Sequence, residues 1–256
     1  MSNRSIQKII SPIAPHFVGD GFRVHNFIPS AAGLDMQRMN PFIMLDYNAP
    51  VYFPPSEIPR GVDVHPHRGF ETVTIAYQGK VAHHDSAGNS GVIGEGEVQW
   101  MTAASGVLHK EYHEKEFAKA GGIFSMVQLW VNLPAADKLS KPKYQEILNT
   151  NIPKVELPNN GGIVEVIAGN YEFNKGAAST FTEVNLFNVK LNAGGTANFS
   201  FCERNNTAAL VNSGNIIVNG EHAVGTSHFA LFSNDGEEFS ISCEEDAVVL
   251  ILSGEP

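Results

Sequence analysis

Cysteine is nearly absent: the 256 residues contain two, Cys202 and Cys243. That number cannot build a disulfide scaffold and fits a reducing compartment, with both thiols expected to behave as small buried apolar groups. Basic residues are also scarce, with 17 Lys and Arg against 27 Asp and Glu, and the formal net charge is -10. A chain that cannot cluster cations releases few counterions from a phosphate backbone, so direct nucleic-acid binding is not expected. No apolar run approaches membrane-spanning length, and the opening Met-Ser-Asn-Arg-Ser-Ile-Gln-Lys-Ile-Ile lacks the apolar stretch of a secretory signal. A soluble, cytoplasmic protein without membrane contact is expected. Convincing amphipathic helices of ordinary length are missing as well, which excludes helix bundles and doubly wound α/β folds.

What remains is a succession of short strands. Phe42–Asp46, Glu71–Gln78, Val81–Asp85, Glu97–Thr102, Val107–Glu111 and Phe124–Val131 are apolar or alternating runs separated by Gly, Pro, Asn and Ser. Pro134 to Pro158 is richer in Lys, Pro and Asn, and strand grammar then resumes at Ile163–Ala168, Leu186–Leu191, Asn215–Asn219, Phe229–Phe232 and Ala247–Leu252. This pattern predicts an all-β chain of two β-barrel or jelly-roll domains, at 1–134 and 159–256, joined by a connecting segment at 135–158.

The ten histidines are unevenly informative. His65 and His67 stand two apart in an extended segment, so their rings share one face of a strand. His109 and Glu111 repeat that spacing 42 residues after His67. If the two strands face each other inside one barrel, three imidazoles and a carboxylate converge on a first-row divalent metal and leave open positions for chemistry. His83 and His84 are adjacent, point to opposite faces and are expected to be exposed. His113 is in phase with Glu111 but precedes a charged run and is placed outside the site. Phe70, Trp100, Met101 and Trp130 are candidate apolar walls or ordinary core residues.

These segments resemble the two cupin motifs, through Gly61, His65, His67, Glu71 and Gly79 in the first and Gly106 and His109 in the second. The wording Pro-His-Arg-Gly-Phe-Glu-Thr at 66–72, Val-Gln-Trp-Met-Thr-Ala at 98–103, Gly-Val-Leu-His-Lys-Glu at 106–111 and Gln-Leu-Trp-Val-Asn-Leu-Pro at 128–134 is similar to that of the pirin family. Phe42–Asp46, Lys143-Tyr-Gln-Glu146 and the terminal Ser-Gly-Glu-Pro256 extend the likeness over nearly the whole chain. Residues 62–64 depart from the family's usual lead into the histidines, and pirins commonly continue past the Gly-Glu-Pro tripeptide.

The resemblance implies a bicupin with one metal, held in the N-terminal domain by His65, His67, His109 and Glu111; the C-terminal domain lacks a His-x-His pair. It implies Fe(II) as the metal, with Zn, Mn, Ni, Co and Cu as alternatives. Glu71, the ligand in typical cupins, is then expected to support a ligand imidazole. The implied activity is a quercetin 2,3-dioxygenase-like oxidoreductase that opens the heterocycle of a flavonol with O2 and releases carbon monoxide, Glu111 serving as ligand and transient catalytic base. The other reading that the family suggests is a non-enzymatic metal- or redox-sensing protein that regulates a protein partner.

Overall fold

The computed structural model describes residues 3–31 and 34–256. In chain order, its first twelve strands are β1 (Ile6–Ile10), β2 (His16–Val18), β3 (Phe22–Ile28), β4 (Phe42–Phe53), β5 (Gly61–His67), β6 (Phe70–Gln78), β7 (Val81–Asp85), β8 (Ser90–Ile93), β9 (Val98–Thr102), β10 (Val107–His113), β11 (Gly122–Asn132) and β12 (Lys143–Ile147). Helix among the described residues is confined to short pieces such as Met36–Met39 and Lys115–Ala120, the latter capped by the Glu114 carboxylate on the amides of Glu116 and Phe117. Among the described residues, no helix is long and apolar enough to cross a membrane.

The chain divides into two compact units. One comprises the described residues of Ile13–Leu34 and Phe42–Thr150. Its larger sheet runs β12-β9-β6-β11-β4-β3-β2 and its smaller sheet β5-β10-β7-β8. Apolar side chains from both sheets meet between them: Phe22, Ala76, Phe124 and Met126 from the larger, Val81 and Ile93 from the smaller. Period-two alternation decides what faces that interior. In β6 and β9, Thr72 pairs with Met101 and Thr74 with Gln99, whereas Glu71 pairs with Thr102 and Val73 with Trp100 on the opposite face.

The second unit comprises the described residues of Met1–Pro12 together with Asp35–Pro41 and Asn151–Pro256. It too pairs a seven-stranded with a four-stranded sheet, around Phe187, Phe199, Phe232 and Phe239. Both units are therefore all-β and of two-sheet build, as the sequence pattern predicts. The limits differ from 134 and 158. Strand β1 pairs antiparallel with Phe229–Phe232 and so belongs to the second unit, a pairing that no local pattern reveals. The expected connecting segment contains β12, which extends the first unit's sheet by pairing Lys143–Ile147 with Val98–Thr102. Cys243 is buried as expected, but Cys202 is exposed.

Candidate metal centre

Strands β5 and β10 pair antiparallel, setting His109 across from His65 and Val107 across from His67. The register shifts between His109 and Glu111, whose partner is Val62. This bulge places one extra residue on β5, and such a bulge re-aims side chains without breaking the sheet. His109 Nε2 lies 2.8 Å from His65 Nε2 and 2.8 Å from His67 Nε2. One nitrogen carries at most one proton, so it cannot hydrogen-bond to both neighbours as a donor. A cation at the point of convergence satisfies all three lone pairs, and bonds of about 2.1 Å at right angles would hold the nitrogens about 3.0 Å apart. The donor set therefore fits a metal.

The surrounding groups prepare the rings for that role. The outer nitrogen of His65, Nδ1, is 2.8 Å from the Asp63 carbonyl, which fixes a proton there and turns the Nε2 lone pair inward. Burial first, and the neighbouring imidazoles second, push His67 and His109 down to about 3, so both are neutral near pH 7. Glu111 is buried, and both its oxygens are engaged: the Thr74 hydroxyl donates to Oε1 at 3.1 Å and the Gln128 amide to Oε2 at 2.7 Å. Ligand atoms of His65, His67 and His109 form one group within 4.8 Å, and those of His83, His109 and Glu111 form another. His109 is common to both.

His83 was expected on the surface and is instead fully buried, while His84 is exposed. Adjacent strand residues do point to opposite faces, and the inward one is His83, paired directly with Glu111. Its Nδ1 stands 3.4 Å from His109 Nδ1, its ring stacks on Tyr144 at 5.3 Å and 12°, and its Nε2 is 3.6 Å from Asp85 Oδ2. Glu71 departs from expectation in the other direction. It lies on the face of β6 opposite Thr72 and Thr74, accepts from the Thr102 hydroxyl at 2.6 Å and supports no ligand imidazole. Trp100 shares that outer face and is no wall of the site. Trp130 and Phe70 stack at 4.5 Å and both meet the His67 ring edge-on at 5.2 Å, and Met101 lies on the same inward face of the sheet as Trp130. His113 is outside the cluster, buried against Phe53 and Phe124 with Nε2 on the Gly21 carbonyl.

Two consequences are measurable. In the metal-free chain, His67 and His109 hold folded-state values below the ordinary imidazole value, so protons bind the unfolded chain more readily. Their contribution to stability is complete above about pH 6.5 and is lost progressively as pH falls from there toward about 3. Denaturant midpoints recorded with a chelator should therefore drop across that window, and a flat profile would contradict the buried, neutral rings. The second concerns Gly61, where an added Cβ would stand 2.3 Å from the Glu111 carbonyl oxygen and 2.5 Å from Tyr112 Cα. Because both neighbours are backbone, Gly61→Ala must part β5 from β10. We expect about 1–3 kcal/mol of lost stability and weaker metal uptake in titration calorimetry; unchanged uptake would show that the two histidine strands tolerate separation.

Two cupin-type domains, with a histidine-rich cluster in the first, define a bicupin. The pirin profile matches residues 21–131 and the pirin C-terminal cupin domain profile matches 186–256, so the chain belongs to the pirin family. It is 46% identical over 242 residues to a Pseudomonas aeruginosa protein named "Putative quercetin 2,3-dioxygenase PA2418", covering 94% of this chain and 83% of that one. It is 33% identical to Pirin-1 of Arabidopsis thaliana, covering 98% and 83% respectively. Among solved structures, a quercetin 2,3-dioxygenase from Acinetobacter baumannii is similar with a TM-score of 0.93 and 45% identity, covering 100% of this chain and 88% of that one.

Proposed function

We propose that this pirin is an iron-dependent dioxygenase that opens the heterocycle of a flavonol such as quercetin and releases carbon monoxide. His65, His67, His109 and Glu111 are the proposed metal ligands. The observation that carries this reading is the convergence of three imidazole nitrogens beside a buried carboxylate, in a chain resembling proteins named as quercetin dioxygenases over almost its full length. When bound, the metal supplies a Lewis-acid centre at which the substrate's hydroxyl and keto oxygens and O2 are brought together.

The chain's own groups do the rest. Glu111 is the group within this cluster able to take the proton of the flavonol 3-hydroxyl, and the donors from Thr74 and Gln128 keep its carboxylate aimed while it does so. The stacked Phe70 and Trp130 rings give a flat apolar wall beside His67, suited to a planar polyphenol. The test is oxygen-dependent loss of quercetin absorbance by protein reconstituted anaerobically with Fe(II). No loss in air, with the metal demonstrably bound, sinks the activity.

A second reading is a metal-sensing regulator that turns over no substrate. It is favoured by Val64 and Leu108, 60% and 49% exposed on the strands that carry the histidines, next to His65 and His109. Pull-down recovery that differs between the Fe(II) and Fe(III) forms, without turnover, would favour it.

A further inference from the structure

Resting on the reading that His65, His67 and His109 bind a metal, we propose that His83 is a positioning residue that sets the tautomer and ring orientation of His109, held itself by Tyr144 and Asp85. A ligand imidazole that offers Nε2 must carry its proton on Nδ1, and a buried N–H needs an acceptor. For His65 that acceptor is the Asp63 carbonyl. His109 is 1% exposed, and the group facing its Nδ1 is the Nδ1 of His83 at 3.4 Å.

Two Nδ1 atoms that face each other share one proton, so only two arrangements are open. With the proton on His109, His83 accepts through Nδ1 and keeps its own proton on Nε2, which points to Asp85 Oδ2 at 3.6 Å. His109 then presents a lone pair at Nε2, between the Nε2 atoms of His65 and His67. With the proton on His83, His109 must carry its own on Nε2, inside the ligand cluster, and has no lone pair there for a metal. The tautomer of His83 therefore decides whether His109 can ligate. Asp85 favours the productive one, because a carboxylate beside Nε2 favours N–H at that atom. Hydrogen bonds anchor Asp85 itself: the amides of Ala87 and Asn89 and the side chain of Asn89 donate to it at 2.8–2.9 Å. Stacking on Tyr144 fixes the plane of the His83 ring. The ring's Nε2 is buried without a hydrogen-bond partner and faces the Asp85 carboxylate at 3.6 Å.

A competing arrangement is available, since His83 also falls within 4.8 Å of ligand atoms of His109 and Glu111. In that case His83 would bind the metal directly.

The experiment is a two-bond proton–nitrogen correlation spectrum of the full chain, labelled with 15N in its imidazoles and loaded with Zn(II), together with zinc affinities measured against a competing chelator. The proposal expects His83 with its proton on Nε2 and an unprotonated, uncoordinated Nδ1, and His109 with its proton on Nδ1 and Nε2 on zinc. His83→Phe should weaken zinc binding about 10–100-fold, whereas His83→Asn, whose Oδ1 can stand where Nδ1 stood, should restore most of it. A zinc-shifted Nδ1 on His83, a proton on that atom, or wild-type affinity in His83→Phe would overturn the proposal. If the wild-type chain takes up no zinc or Fe(II), the metal-centre reading falls and this inference with it; normal uptake by both wild type and His83→Phe removes this inference alone.

Discussion

His109→Ala is expected to leave the chain without its metal and without any oxygen-dependent consumption of quercetin. Of the proposed ligands, His109 is the one within 2.8 Å of two others and the one shared by both ligand groups, so its removal unmakes the convergence itself. Changes to outer-shell partners alone typically weaken metal binding by 10–100-fold, so loss of a central ligand should exceed about 100-fold. Elemental analysis should fall from about one iron per chain to a trace, while the far-ultraviolet circular dichroism stays that of a β protein. Glu111→Gln should separate binding from chemistry. The amide keeps one oxygen for the Thr74 hydroxyl or the Gln128 amide but cannot collect a proton at neutral pH. Partial metal content with turnover lowered about 100-fold or more is the expected result for a lost general base. Full activity in Glu111→Gln would show that the substrate proton goes elsewhere.

The convergence of the histidines was legible in the sequence because two-residue spacing on a strand is a statement about faces, and β5 and β10 do bring His65, His67 and His109 together. The choice of Glu111 over Glu71 came from family resemblance. The strand pairing agrees with that choice: Glu71 is one residue out of phase with Thr72 and Thr74, and it is Thr74, on the other face of β6, that donates to Glu111. The same parity also places Trp100 outside the site and His83 inside. The adjacency of His83 and His84 shows that they cannot chelate together, but it equally means that one of them must point inward. Burial of that one depended on β7 lying beside β10, which is long-range information. The unit limits were obscured for the same reason. The Lys- and Pro-rich composition of 135–158 reads as a linker, and edge strands such as β12 carry that composition because one side of them meets water.

Arg4→Met should cost the C-terminal unit about 3 kcal/mol, the second large effect expected. Arg4 is fully buried and its guanidinium faces oxygen acceptors only: Nε donates to the Gly236 carbonyl at 2.9 Å, Nη1 to the Asn205 carbonyl at 2.8 Å and the Thr207 hydroxyl at 2.6 Å, and Nη2 to the Cys202 carbonyl at 2.7 Å. Burial lowers its pKa, but a guanidinium is not deprotonated inside a protein and Arg4 stays charged. Next to it, the Arg4 amide donates to the Glu238 carbonyl and the Arg4 carbonyl accepts from Asn219, so one residue ties the start of β1 to three separate loops of the unit. Methionine fills similar volume but removes four hydrogen bonds at once. The Cys202 and Asn205 carbonyls keep the Asn205 amide and the Asn234 side chain as donors, whereas the Gly236 carbonyl loses the guanidinium that donates to it. Arg4→Lys retains the charge but reaches fewer acceptors than the planar fork and should recover only part of the loss. Amide hydrogen exchange localises the effect: protection should fall first in Ile6–Ile10 and in its partner strand Phe229–Phe232. A denaturation midpoint and exchange pattern unchanged from wild type would mean that β1 is held by its ladder alone. The expected loss instead identifies a side chain near the start of the sequence as a fastening for a domain built mostly from its end.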